Sequence, residues 1–227
     1  MTLKIISSMA TKDVLQFLAH DFKTLESSNV VVESIGGVNV NRRVRAGEVF
    51  DLVVLAADAI DQLIEEGHVR AGSRVDFVSS GIVAAVKSGT KLIDIGSQEA
   101  LKQAILGAKT ISYSTGPSGV YLEKLFTQWG IAEQVKPRLV IAPPGVPVGS
   151  LLANGEAELG FQQLSELISL PGISLLGPLP PEIQLVTTFS AGIASSADQV
   201  DTAKRFLEFI VSKDTVATKV RAGMNAV

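Results

Sequence analysis

Hydroxyl side chains and glycines gather in three short stretches of the sequence. These are Ser7-Ser8, Gly36-Gly37-Val38-Asn39, and Ser114-Thr115-Gly116-Pro117-Ser118-Gly119. Each follows an apolar run and leads into a run with helical spacing. A helix start carries unsatisfied N–H groups and the positive end of the helix dipole. Hydroxyls add donors there without the desolvation cost of a buried ammonium. The combined chemistry is that of holding a small oxyanion or carboxylate. Ordinary helix capping explains part of the same pattern. Ser118 and Thr11 are the best-placed caps, which leaves Ser7, Ser8, Ser114 and Thr115 as the better ligand candidates. Gln162 and Gln163 follow a further apolar run and bring amide donors and acceptors. Neighbouring residues diverge, so one can face a ligand while the other faces away. Arg42, Arg43 and Arg45 lie about one turn beyond the Gly36 loop. An arginine such as Arg43 could grip a carboxylate bidentately, or it could belong to a solvated helix face. Tyr121 is one turn into the helix after Gly119 and is open to two readings, packing or proton transfer.

Other chemistries are excluded by what the chain lacks. It has no cysteine, so disulfides, thiolate catalysis and cysteine metal sites are ruled out. Its two histidines, His20 and His68, cannot form a histidine-rich metal centre, and no Asp/Glu/His set has metal-ligand spacing. The stretch STGPSG has no Gly-Lys-Ser/Thr after it, and no GxGxxG or GxSxG occurs, so nucleotide sites and a nucleophile elbow are not indicated. Net charge is −3 and the sequence pI is about 5.5. The densest basic stretch, Asn41 to Gly47, is too small for a nucleic-acid footprint. No apolar run reaches the length that spans a membrane. The first residues lack the basic start, long apolar run and small-residue cleavage site of a signal peptide. The expected location is extracytoplasmic if the sequence is a mature form, and cytoplasmic if Met1 is the native start.

These loops need strands and helices to position them, and the apolar pattern supplies both. Leu3 to Ile6 reads as a buried strand and residues 11–26 as an amphipathic helix. Val30 to Ser34 and Phe50 to Ala56 read as further strands, each followed by a helix. Alternation of this kind implies crossover units and a largely parallel sheet. The pattern resumes with a helix over 98–106, a strand at 109–114, a helix over 118–129, a strand at 138–142, a helix over 148–154 and a strand at 157–161. Helices follow at 162–168, 198–211 and 213–222. Two segments break the rhythm, Ser73 to Gly89 and Glu182 to Ala197. Both are long and β-rich, with small residues inside them. They predict two crossings between a discontinuous lobe one, residues 1–79 plus 190–227, and a lobe two, residues 80–189. In open sheets of this class ligands bind beyond the carboxyl ends of the strands, where the hydroxyl-rich loops fall.

Laid out in this order, the chain resembles the type II periplasmic solute-binding proteins, most closely the molybdate-binding branch of ABC-transporter receptors. The resemblance runs through SSMATKDVLQFLAHDF, ESIGGVNVNRRVRAGEVFDLVVLAADAIDQLIEEG, SRVDFVSSGIVAAVKSG, NGEAELGFQQLSEL and AKRFLEFIVS. It implies an α/β fold of two lobes with mostly parallel sheets and an interlobe cleft. It also implies a small anionic ligand, no cofactor or metal, and a monomer that meets an ABC permease if exported. The ligand residues it implies are Ser7 or Ser8, Gly37 and Asn39 in the second loop, the stretch from Ser114 to Ser118, and Gln163. Gly37 stands where that branch has a hydroxyl, and Gln163 stands where it has a tyrosine. Two ligands of a tetrahedral metal oxyanion are therefore missing, which favours a planar carboxylate. Aconitate isomerase resembles this same branch. The expected function is binding of a small di- or tricarboxylate as a receptor. The alternative is a cofactor-free isomerase that shifts an allylic proton, with Tyr121 and Ser114 as its catalytic candidates.

Overall fold

The computed structural model describes residues 2–26 and 28–227. Contacts divide the chain into two compact units, Met1–Ser80 with Thr187–Val227, and Gly81–Val186.

The chain opens with β1 (Thr2–Ser8), a single 3-10 turn over Met9–Thr11 and α1 (Lys12–Glu26). Then come β2 (Asn29–Ile35), α2 (Gly37–Arg45), β3 (Leu52–Ala56) and α3 (Ala57–Glu65). The long strand β4 (Val75–Lys87) carries the chain into the second unit. That unit contains α4 (Gln98–Gly107), β5 (Ile111–Ser114), α5 (Pro117–Gln128), the single turn α6 (Ala132–Val135) and β6 (Leu139–Ala142). It continues with α7 (Val148–Asn154), β7 (Leu159–Gln163), the short α8 (Leu164–Leu167) and β8 (Ile173–Pro178). β9 (Val186–Ile193) returns to the first unit, which closes with α9 (Val200–Ile210), α10 (Val216–Arg221) and β10 (Asn225–Ala226).

In the first unit the strand order is β2-β1-β3-β9-β4. β1 is parallel to β2 and β3, while β9 is antiparallel to β3 and β10 is antiparallel to β4. Alternate residues of β1 feed two cores. Leu3 and Ile5 pack with α1 and α9 around Leu15, Phe22 and Phe206. Ile6 packs with α2 and α3 around Val40, Val44 and Leu63. This period-2 division fixes the end of the strand, so Ser7 and Ser8 point to opposite faces.

The second unit repeats the logic with order β4-β7-β5-β6. β5 is parallel to β6 and β7, and β4 is antiparallel to β7 and β8. Ile111, Tyr113, Leu159 and Phe161 face the core under α4 and α5. Val83, Ala85, Val148 and Leu152 form the core on the other face, under α7. Gln184 braces β4 where it enters this unit. Its amide accepts from the Ile82 N–H at 3.1 Å and donates to the Ile82 carbonyl at 3.0 Å, as a neighbouring strand would.

Two sequence expectations change here. Gln162 and Gln163 do not open a helix; they end β7, because pairing with Val83 and Ile82 of β4 extends the strand beyond its apolar run. Ser118 does not cap α5. The cap residue is Gly116 and Pro117 takes the first helical position, where a missing N–H costs nothing.

Candidate functional site

At the carboxyl end of β1 the two serines divide. The Ser7 hydroxyl is 2.7 Å from the Ser34 hydroxyl of β2, opposite it in register, so this pair closes on itself. Ser8 is 9% exposed, and its hydroxyl has no hydrogen-bond partner among the described residues. It lies against the head of α2: a Cβ placed on Gly37 would come 4.0 Å from the Ser8 Cβ and 3.6 Å from Leu55 Cδ2. Helix α2 begins after Gly36 without a side-chain cap, and the Asn39 and Val40 N–H groups turn back to the Gly36 carbonyl. The head of α2 thus presents the Gly37 and Val38 N–H groups beside a buried, unpartnered hydroxyl. Asn39 is half-buried one residue further on. This cluster can donate to an anion without any cationic side chain. Thr11 does not compete for it, since its hydroxyl donates to the Ser8 carbonyl at 3.1 Å.

Arg43 is placed differently from its sequence expectation. It sits in the last turn of α2, away from the Gly37 end. Its guanidinium is held by Glu33 and Glu48 and stacks 5.3 Å from the Phe50 ring centroid. Those two carboxylates hold its pKa above the usual arginine value. A ligand carboxylate would have to displace both, so the grip foreseen for Arg43 is already occupied.

The second unit carries the other hydroxyl-rich loop. Ser114 ends β5, and its hydroxyl accepts from the Gly116 N–H at 3.4 Å. Thr115 is exposed and Ser118 is buried in the first turn of α5. Gly119 is obligatory: a Cβ there would fall 1.8 Å from the Ser114 carbonyl oxygen and 2.8 Å from Tyr113 Cδ2. The close approach of α5 to the end of β5 depends on this missing side chain. Tyr121 does not serve as a free proton carrier. Its hydroxyl donates to the Ile183 carbonyl at 2.7 Å, and burial raises its pKa further from neutrality. Its work is to fasten α5 to the turn before β9.

The ends of β7 and α8 bring in a residue that sequence reasoning passed over. Gln163 is 1% exposed, paired in register with Ile82. Gln162 points to the other face and has both ends of its amide engaged. It accepts from the Val148 N–H at the head of α7 at 2.8 Å and donates to Glu166 Oε2 at 2.7 Å. Burial pushes the Glu166 carboxyl up to about 7, with the Gln162 hydrogen bond pulling in the opposite direction. The available sequence signal was an acid four residues after a glutamine, between Leu164 and Leu167. Nothing local in the sequence reveals its enclosure.

Two further observations bound the site. A cavity of about 730 Å³ in the second unit is lined by residues such as Lys87, Ile93, Asp94, Gln103 and Glu158. It lies at the amino ends of β5 and β7 and includes none of the loop residues above. Among the described residues no group of three or more His, Asp or Glu could hold a metal ion, and no helix is long and apolar enough to cross a membrane.

Residues 3–225 match the model of a family described as bacterial extracellular solute-binding protein. The chain belongs to this family. Its extracellular description agrees with the extracytoplasmic location expected of a mature form. A protein named aconitate isomerase, from a Pseudomonas species, is 35% identical over 191 residues, covering 83% of this chain and 72% of its own. Among solved structures, the periplasmic molybdate-binding protein of Azotobacter vinelandii superposes with a TM-score of 0.82 at 23% identity, covering 98% of both chains. PEB3 from Campylobacter jejuni, in its L-phospholactate-bound form, superposes with a TM-score of 0.75 at 13% identity, covering 98% of this chain and 99% of its own. The fold is therefore the type II periplasmic binding-protein α/β fold, and in sequence the chain is similar to an aconitate isomerase.

Proposed function

We propose that this chain binds a small tricarboxylate of the aconitate class and shifts a proton across its allylic system without a cofactor. The observation that carries the reading is the 35% identity to aconitate isomerase over 83% of the chain. Residue chemistry supports it. Gly37 lacks the hydroxyl and Gln163 lacks the phenol that a receptor for a tetrahedral metal oxyanion would use. What remains is a set of neutral donors suited to carboxylates: the Ser8 hydroxyl, the N–H groups at the head of α2, Ser114, Thr115, Ser118 and the Gln163 amide. Neutral donors of this kind acting on a bound carboxylate would stabilise the charge that develops when a C–H proton leaves. A receptor that hands its ligand to an ABC permease is the second reading, favoured by the family match itself.

The deciding experiment has two stages. A thermal-shift screen uses molybdate, sulfate, phosphate, citrate and both aconitate isomers. The expected result is a rise in melting temperature with aconitate, and a shift confined to molybdate overturns the carboxylate reading. The aconitate is then incubated with the protein in deuterated water and recovered. Deuterium in the recovered acid supports the isomerase, whereas binding without exchange at saturating protein establishes a receptor.

A further inference from the structure

The proposed reaction needs a group that takes a proton from carbon and gives it back. Both histidines belong to the first unit, and Tyr121 is committed to Ile183. Glu166 is the remaining candidate among the strand-end residues. It follows the carboxyl end of β7 by three residues, in the region where open α/β sheets bind ligands. Its carboxyl is fixed through Gln162, whose own amide is locked by the Val148 N–H. The Gln162 amide holds Oε2 at 2.7 Å and so fixes the orientation of the carboxyl.

Its surroundings contain no countercharge. α8 packs against β7 and α7. The sequences of those elements, LGFQQ and VGSLLAN, contain no ionisable side chain, and Glu166 is the sole ionisable residue of α8. The Pro143–Pro147 loop leading to α7 has none either. No arginine, lysine or histidine pairs with Glu166 among the described residues.

We propose that Glu166 is the acid–base residue of the allylic proton shift, with Gln162 as its positioning residue. This inference rests on the isomerase reading. In the step, the carboxylate removes a proton from the allylic carbon. The C–H electron pair moves into the adjoining double bond and carboxylate system. The same carboxyl then delivers the proton to the far carbon of that system, a new C–H bond forms, the double bond has moved and the carboxylate is restored. No electron is gained or lost. A base of this kind is most effective when it ionises near the working pH, and the burial of Glu166 meets that condition.

The test compares the wild-type protein with Glu166→Gln, Glu166→Asp and Gln162→Leu, using trans-aconitate in deuterated water as the probe. Glu166→Gln should bind trans-aconitate within about threefold of wild type by calorimetry yet exchange deuterium at least ~100-fold more slowly, the usual scale of general acid–base catalysis. Wild-type exchange should rise with pH as Glu166 loses its proton near neutrality. Gln162→Leu should keep exchange but move that rise to higher pH, which a purely structural role would not do. If Glu166→Gln fails to fold by circular dichroism, Glu166→Asp and the wild-type pH profile decide. An Asp variant with undiminished exchange, or a profile without a neutral ionisation, overturns the proposal. Full exchange by folded Glu166→Gln overturns it and leaves the isomerase reading standing. Wild-type protein that binds without exchanging overturns both.

Discussion

Two carboxylates, a buried one in the first unit and a half-buried one in the second, have opposite surroundings. Asp51 is 2% exposed and accepts three backbone N–H groups: Lys4 at 2.8 Å on one oxygen, Asp198 at 3.0 Å and Gln199 at 2.8 Å on the other. It joins the start of β3 to β1 and to the head of α9, acting as a cap supplied from a distance. Glu166 has one neutral amide donor and no charge nearby. A carboxylate left largely unsolvated prefers its proton. The first arrangement builds a fold, and the second keeps a proton available near neutral pH.

The contrast can be broken by making the same near-isosteric change at both sites. Asp51→Asn places an amide donor against a backbone donor and removes the charge that strengthens the remaining bonds. It should destabilise the protein by about 4 kcal/mol in urea unfolding, given ~1.5–3 kcal/mol for each hydrogen bond to a charged group. Glu166→Gln should do the reverse, and only in part of the pH range. A carboxyl whose pKa is raised by folding contributes its full stability below the unfolded value. That contribution is lost as pH rises through the folded value of about 7. The variant should therefore match wild type near pH 4 and exceed it at pH 9, by no more than about 3 kcal/mol for a shift of this size. Equal unfolding curves at pH 9 would show that Glu166 is well solvated, and the comparison with Asp51 would fail.

Much of this arrangement could be read from the residues. The strand–helix alternation, the long β4 and β9, the loop after β1 and the close start of α5 all rest on local patterns of apolar spacing and turn residues. The parts that escaped depend on partners remote in sequence. β8 was missed because its pairing is with β4, where Gly177 lies opposite Ala84. Gln162 and Gln163 read locally as a helix start because the pairing that keeps them in a strand comes from Val83 and Ile82. Asp51 stands at the edge of an apolar run, and the donors that enclose it come from the distant Lys4, Asp198 and Gln199. Pro117 is a local signal that starts α5 one residue before Ser118. Among the candidate ligands, Ser7 and Ser8 were indistinguishable until β2 supplied Ser34 as a partner for one of them.

Arg43 provides the smallest expected effect and sharpens the distinction between a charge that performs chemistry and one that is neutralised in place. Its ion pairs with Glu33 and Glu48 lie on an exposed part of the first unit, where solvent and salt screen them. Arg43→Gln should leave the melting temperature unresolved from wild type and tricarboxylate affinity within about twofold, because exposed pairs of this kind contribute little. The aliphatic stem of Gln still covers part of Phe50, so the packing beneath the guanidinium is mostly kept. A tenfold loss of aconitate binding by calorimetry would reverse this assignment. It would mean that the ligand draws Arg43 away from both glutamates, and that the first unit meets its anion with a full positive charge as well as the neutral donors around Ser8.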